Sequence, residues 1–326
     1  MSAINMIFSQ NISIVRPAYF FITGLSGIPY SSYYYIFLFF TYFIAVIGNS
    51  VVLFIIALDR SLHSPKYIGV FNLALADIGE TNALIPNMLK TLLFESQYIS
   101  YNSCLLNMYF VFLFGSMQSL SLVVLAFDRF IAICLPLRYH AIVTNTGMSL
   151  IFSAIWAFNT FVMALTVSLL TRLSFCKSNV IQSYFCDHGP VYRLACNDNS
   201  MNNLMANLCT ALYLVAPLAI IIVSYIGILL ALIRITTWEG RIKALKTCVS
   251  HLLLVGVFFL PITCTYIAAF MFALSPNARI ISTSLAFVIP PMLNPIIYVL
   301  NTAEIKDLMQ KVLKNRFATI GQSISH

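Results

Sequence analysis

LAFDRFIAICLPLRY, residues 125–139, closes a long apolar run with an acid and a base side by side. Asp128 and Arg129 stand where a helix should leave a membrane. A charge pair inside a membrane segment is costly and marks a functional site by default. The plainer alternative is a pair of interfacial charges that snorkel to water. The rest of the chain decides between the two.

Composition fixes the class first. Of 326 residues, 60% are hydrophobic and 9% charged, where a soluble domain carries about 25% charged residues. Mean hydropathy is +0.90. These values describe a polytopic membrane protein. The length suits seven helices of about 20–25 residues with short loops, with no room for a second folded domain. The net charge of +8 comes with no basic tract and no soluble module, so nucleic acid is not a partner and the charge is read as topology. The first ten residues, MSAINMIFSQ, do not read as a secretory signal peptide. The first span is then its own insertion signal.

Apolar runs place the spans at about 33–58, 67–93, 101–134, 148–170, 203–235, 242–274 and 279–300. Residues 1–32 read as a tail carrying the sequon Asn11-Ile12-Ser13, residues 33–300 as the membrane domain, and 301–326 as a separate end. In that end Ile305, Leu308, Met309, Val312, Leu313 and Phe317 fall on one helical face, with Lys306, Lys311, Lys314 and Arg316 off it. This is a short amphipathic helix lying in the membrane surface. The expected fold is thus all-α: a seven-helix bundle with a C-terminal amphipathic helix.

Polar residues inside the runs mark the interior of the bundle. Asn49 needs a partner on another span. Asp77 and Glu80, three residues apart, share one helix face. They read either as protonated, hydrogen-bonded structure or as a cation or proton site that changes with state. Pro86, Pro217 and Pro261 are expected to bend their helices.

Twelve Lys and Arg fall on the side of Arg129, Arg138, Arg241 and Lys246, against six on the other. The first side is therefore cytoplasmic, and Asn11 is outside. Cys104, Cys176, Cys186 and Cys196 all lie on the outer, oxidising side. Their number leaves three pairings open, and a zinc site with His188 is a rival use of them.

Several motifs now stand in order: Gly48-Asn49, LHSPKY (62–67), LALAD (73–77), LAFDRFIAICLPLRY, Ser224-Tyr225, KALKTCVSH (243–251) and PMLNPIIY (291–298). Together they resemble the olfactory receptors of the rhodopsin-like G protein-coupled family across nearly the whole chain. The short tail and FITGLSGIP (21–29) look like the class I, fish-type branch. The chain departs from the family pattern at Phe130, Lys66, Phe259 and Gln118; Gln118 stands where many members carry Glu. Glu80 is a candidate replacement carboxylate.

The resemblance implies a mechanism. Cys104 pairs with Cys186 and Cys176 with Cys196. Asp128 holds Arg129 when the receptor is off. On activation the sixth span swings out and Arg129 helps receive a stimulatory, cyclase-coupled G protein, with Tyr225 and Tyr298 lining the cleft. Asn49, Asp77, Asn294 and Tyr298 are expected to form a two-state polar network, with hinges at Pro217, Pro261 and Pro295. A small, neutral or weakly polar odorant is expected among Phe112, Gly115, Ser116, Cys209, Tyr213, Phe259, Thr263, Tyr266 and Phe287. The implied location is the plasma membrane.

Other functions find no foothold. The third span lacks an outer carboxylate for an amine, and residues 280–300 lack a Lys for a retinal Schiff base. A channel or transporter would show internal repeats. All five His are placed outside the membrane core, leaving an intramembrane hydrolase without its base. No catalytic group, metal or cofactor is assigned. A non-olfactory chemosensory receptor of the same fold is the nearest alternative.

Overall fold

Seven long helices carry the apolar runs in the computed structural model, which describes residues 14–25, 31–94, 97–272, 274–301 and 304–306. They are α1 (Ser31–Leu58), α2 (Pro65–Phe94), α3 (Tyr101–Cys134), α4 (Asn145–Ser168), α5 (Ser200–Arg234), α6 (Trp238–Met271) and α7 (Pro276–Asn301). Each is long and apolar enough to cross a bilayer. Several outrun the hydropathy reading because a helix does not stop at the end of the hydrocarbon. The 34 residues of α6 measure about 51 Å at ~1.5 Å each, against a core of about 30 Å. Local chemistry sets the starts. The Ser100 side chain accepts from the Ser103 amide to begin α3, and Thr144 does the same with Gly147 for α4.

α3 runs through the centre, packed against α2, α4, α5 and α6. Polar stitches add direction to the packing. The Trp156 indole donates to Asn72 Oδ1 at 2.9 Å, tying α4 to α2.

Proline explains two further stitches. A proline inside a helix leaves the carbonyl four residues earlier without its donor. Pro295 frees the carbonyl of Pro291, and Asn49 Nδ2 donates to it at 2.8 Å. Pro217 frees the carbonyl of Tyr213, and Ser119 Oγ donates to it at 2.6 Å. The backbone of α5 loosens into one π-helical turn at Ala211–Val215. Neighbouring side chains thus satisfy groups that lipid would leave orphaned.

Residues before the first span are not a simple tail. Tyr19–Ile22 forms strand β1, which pairs antiparallel with β2 (Tyr98–Ser100) and parallel with β3 (Val180–Ile181). Phe20 is fully buried beneath this sheet beside Tyr101 and Phe175. The sequence reading missed it because four residues of strand carry almost no periodic signal. Cys104 is bonded to Cys186 and Cys176 to Cys196. With all four thiols spent, the zinc alternative has no ligands, and no cluster able to hold a metal occurs among the described residues. The disulfides and sheet mark one end of the bundle, and Asp128–Arg129 marks the other. Asn11 and the face from Leu308 to Phe317 lie outside the described residues. Ile305 and Lys306 are helical, with Ile305 fully buried.

Candidate ligand site and switch

Near the disulfide end, three expected ligand residues converge. The Phe112 ring lies 6.0 Å from that of Phe185, in the loop after α4, and the Phe287 ring lies 6.1 Å from the same Phe185. Gly115 completes the group: a Cβ there would meet Glu80 Oε1 at 2.6 Å and Phe287 at 3.7 Å. A side chain at this position would require the Glu80 carboxylate to shift. The result is an aromatic cage over a buried acid.

Across the bundle, Tyr213 on α5 and Thr263 on α6 keep buried hydroxyls that make no hydrogen bond. Such groups cost free energy until a partner arrives. Ser119, which anchors the Tyr213 backbone, was not anticipated from the sequence. Its signal is the proline four residues after Tyr213.

The remaining expected residues point elsewhere. Ser116 donates to Asn159 Oδ1 at 2.9 Å and to its own helix, so its hydroxyl is spent between α3 and α4. Cys209 faces Thr166, 3.7 Å away. Phe259 packs edge-on against Phe258 in the apolar core. Tyr266 is 55% exposed on α6.

The middle of the bundle holds the acids. Asp77 accepts from Asn294 Nδ2 at 2.9 Å. Glu80 accepts from Gln118 Nε2 at 2.6 Å. The four-residue network expected here is instead a set of separate links. Asn49 bonds the α7 backbone rather than Asp77, and the buried Tyr298 hydroxyl makes no hydrogen bond. Asn49→Leu is expected to cost about 1–2 kcal/mol, read as a lower midpoint of thermal unfolding. The same change in a Pro295→Ala background, where the backbone N–H is restored, is expected to cost markedly less.

At the other end, Arg129 Nη2 lies 2.7 Å from Asp128 Oδ2, and Tyr139 donates to Asp128 Oδ1 at 2.7 Å. Asp128 is wholly buried. A second latch sits beside this pair. The Tyr225 hydroxyl lies 2.7 Å from His251 Nδ1, while His251 Nε2 lies 3.1 Å from the Leu122 carbonyl. A carbonyl only accepts, so Nε2 carries the proton and Nδ1 accepts from Tyr225. This contact joins α3, α5 and α6. It corrects the placement of His251 outside the membrane core: the imidazole is buried within the bundle. His251 falls within the sixth apolar run, and packing against α3 and α5 buries it there.

The loop that carries Phe185 has its own titratable pair. Burial lowers the His188 imidazole to about 4, and burial raises the neighbouring Asp187 carboxyl. Arg279 and Arg193 are the cations closest in effect to Asp187. Folded His188 is neutral, so the unfolded loop binds a proton first as pH falls. Its contribution to stability is complete above about pH 6.5 and lost toward about pH 4. Asp187 acts with the opposite sign. Protection of the loop amides, corrected for the intrinsic exchange rate, is therefore expected to fall less on acidification in His188→Phe than in the unaltered chain.

A seven-helix bundle with a disulfide-tied lid, an aromatic site beneath it and a buried Asp-Arg pair at the far end defines a rhodopsin-type receptor. The structure matches squid rhodopsin with a TM-score of 0.72 at 16% identity, covering 89% of this chain and 87% of that one. The family is fixed by sequence. The olfactory receptor family model matches residues 38–316. Human olfactory receptor 1M1 is 34% identical over 301 residues, 92% of this chain and 96% of the relative. Rat olfactory receptor 1 is 34% identical over 278 residues, 84% of this chain and 87% of the relative. This chain belongs to the olfactory receptor family. It is an odorant-sensing, multi-pass G protein-coupled receptor and not an enzyme.

Proposed function

We propose that a small, neutral or weakly polar odorant binds near the disulfide end, between α3, α5, α6 and α7. The observation that carries this is the pair of unspent buried hydroxyls, Tyr213 and Thr263, opposite the Phe112–Phe287 cage. Small-ligand sites are mostly apolar with a few convergent polar groups. The aromatic faces take the hydrocarbon part, and the hydroxyls take one oxygen. Tyr213→Phe and Thr263→Val are each expected to raise the half-maximal concentration of an oxygen-bearing odorant about tenfold, the loss of one hydrogen bond of ~1.4 kcal/mol. Responses to a hydrocarbon odorant should not change. Equal shifts for both ligand types would overturn the placement.

The disulfide end, with Asn11, faces outside, and the Arg129 end faces the cytoplasm at the plasma membrane. The excess of Lys and Arg on the Arg129 side and the oxidised cysteines on the other support this orientation. Binding favours a state in which the Asp128–Arg129 and Tyr225–His251 contacts part, α6 moves outward, and the opened cleft receives a stimulatory G protein that drives adenylyl cyclase. The Tyr225–His251 contact ties α6 to α5, and the Asp128–Arg129 pair holds the arginine on α3; both observations support this reading. A cyclic AMP reporter in cells co-expressing an olfactory-type G protein tests the coupling, and odorant-evoked current without a G protein would overturn it.

A further inference from the structure

α6 and α7 leave a groove of about 420 Å³ between their ends nearest Arg129, lined by Ile242, Leu245, Lys246, Val249 and Leu300. Ile242, Leu245, Lys246 and Val249 recur at helical spacing and so share one face of α6. Leu245 and Val249 are 45% and 46% exposed, and Leu300 is 70% exposed. This apolar face continues up α6 through Leu252 and Leu253.

The depth of Lys246 matters. The length of α6 exceeds the hydrocarbon by about 20 Å, which is about 10 Å at each end when shared equally. Lys246 stands eight residues after Trp238, the first residue of α6, or about 12 Å along the helix. Its ammonium therefore stands at the boundary between acyl chains and headgroups. Lys246 is exposed and has no acidic partner among the described residues, whose one ion pair is Arg129–Asp128. Nearby Arg241 is already spent, donating to the carbonyls of Ile235 and Ile233 at 2.7 and 3.3 Å.

We infer that this groove binds one anionic phospholipid, its phosphate on Lys246 and an acyl chain along Leu245, Val249 and Leu300. The groove supplies what such a lipid needs: an uncompensated cation at headgroup depth and an apolar channel running from it toward the membrane centre. Basic pockets between spans recognise anionic headgroups in this way. The inference is independent of the odorant site.

The test uses the purified full chain in phosphatidylcholine discs containing spin-labelled phosphatidylserine or spin-labelled phosphatidylcholine. Lys246→Gln is expected to lower the preference for the serine lipid about fivefold, the equivalent of ~1 kcal/mol for one lysine near an anionic surface. Lys246→Arg should keep the preference, and Lys177→Gln, at the opposite end, should not alter it. Val249→Trp, which fills the groove, should reduce retention of both labels. An undiminished preference in Lys246→Gln would overturn the site. So would competition by soluble glycerophosphoserine, which would mean a headgroup site without a lipid. A Val249→Trp effect on dimer mass with none on lipid retention would assign the groove to a second copy of the chain instead.

Discussion

Arg129→Ala is expected to abolish the odorant-evoked cyclic AMP response while leaving surface expression intact. Arg129 is held 2.7 Å from a wholly buried Asp128, which also accepts from Tyr139. Removing the guanidinium leaves Asp128 with Tyr139 and costs some stability, but the larger loss is functional. In the proposed mechanism, this guanidinium meets the G protein once the pair opens. The converse change isolates the switch. Asp128→Asn removes the charge that restrains Arg129 and keeps a hydrogen-bond acceptor for Tyr139. Ligand-free signalling should then rise, by about 5- to 150-fold if the pair contributes the usual ~1–3 kcal/mol of coupling. An unchanged odorant response in Arg129→Ala at equal surface density would remove Arg129 from the mechanism.

Gln118→Leu is expected to be the most damaging single change in the middle of the bundle. Glu80 is 1% exposed and accepts from Gln118 Nε2 at 2.6 Å. A typical side-chain hydrogen bond is worth about 0.5–1.5 kcal/mol net, and a buried polar group left alone costs about 1–3 kcal/mol of desolvation. The loss should appear as a lower unfolding midpoint and less receptor at the surface. Exchanging the two residues, Glu80→Gln with Gln118→Glu, keeps one carboxylate and one amide in contact and should recover most of it. A double variant no better than Gln118→Leu would show that each position demands its own residue type and that the contact is incidental.

The exchange also explains a feature of the sequence. Gln118 departs from the carboxylate common in the family, and a carboxylate stands instead at Glu80. The two positions are neighbours on α2 and α3, and Gly115 leaves room for the acid between them. A linear reading registers a missing acid and an extra one. Only the packing of α2 against α3 makes them a single site.

How much was legible varies with how local the cause is. The third span came out with both its ends, Tyr101 and Cys134, because a capping serine opens it and a proline follows it. The lid was not legible, since its strands are two to four residues long and pair across about 80 and about 160 residues. The neighbours of the expected ligand residues could not be read from linear spacing. Phe112, Gly115 and Phe287 come together, whereas Ser116 turns its hydroxyl to Asn159 on α4.

The sequence by itself determined the number of spans, the charge asymmetry across the membrane, the family and the prolines that free backbone carbonyls. These follow from hydropathy and helix geometry, which act within a few residues. The tertiary structure alone decided which side chain answers each freed carbonyl and which polar groups remain unspent. Ser119 meets Tyr213, Asn49 meets Pro291, Tyr225 meets His251, and the Tyr213 and Thr263 hydroxyls stay buried without a hydrogen bond. Those outcomes depend on how each helix is rotated about its axis. That rotation is set by packing against neighbours far away in the chain, where a change of one residue in facing carries a side chain about 100° around the helix.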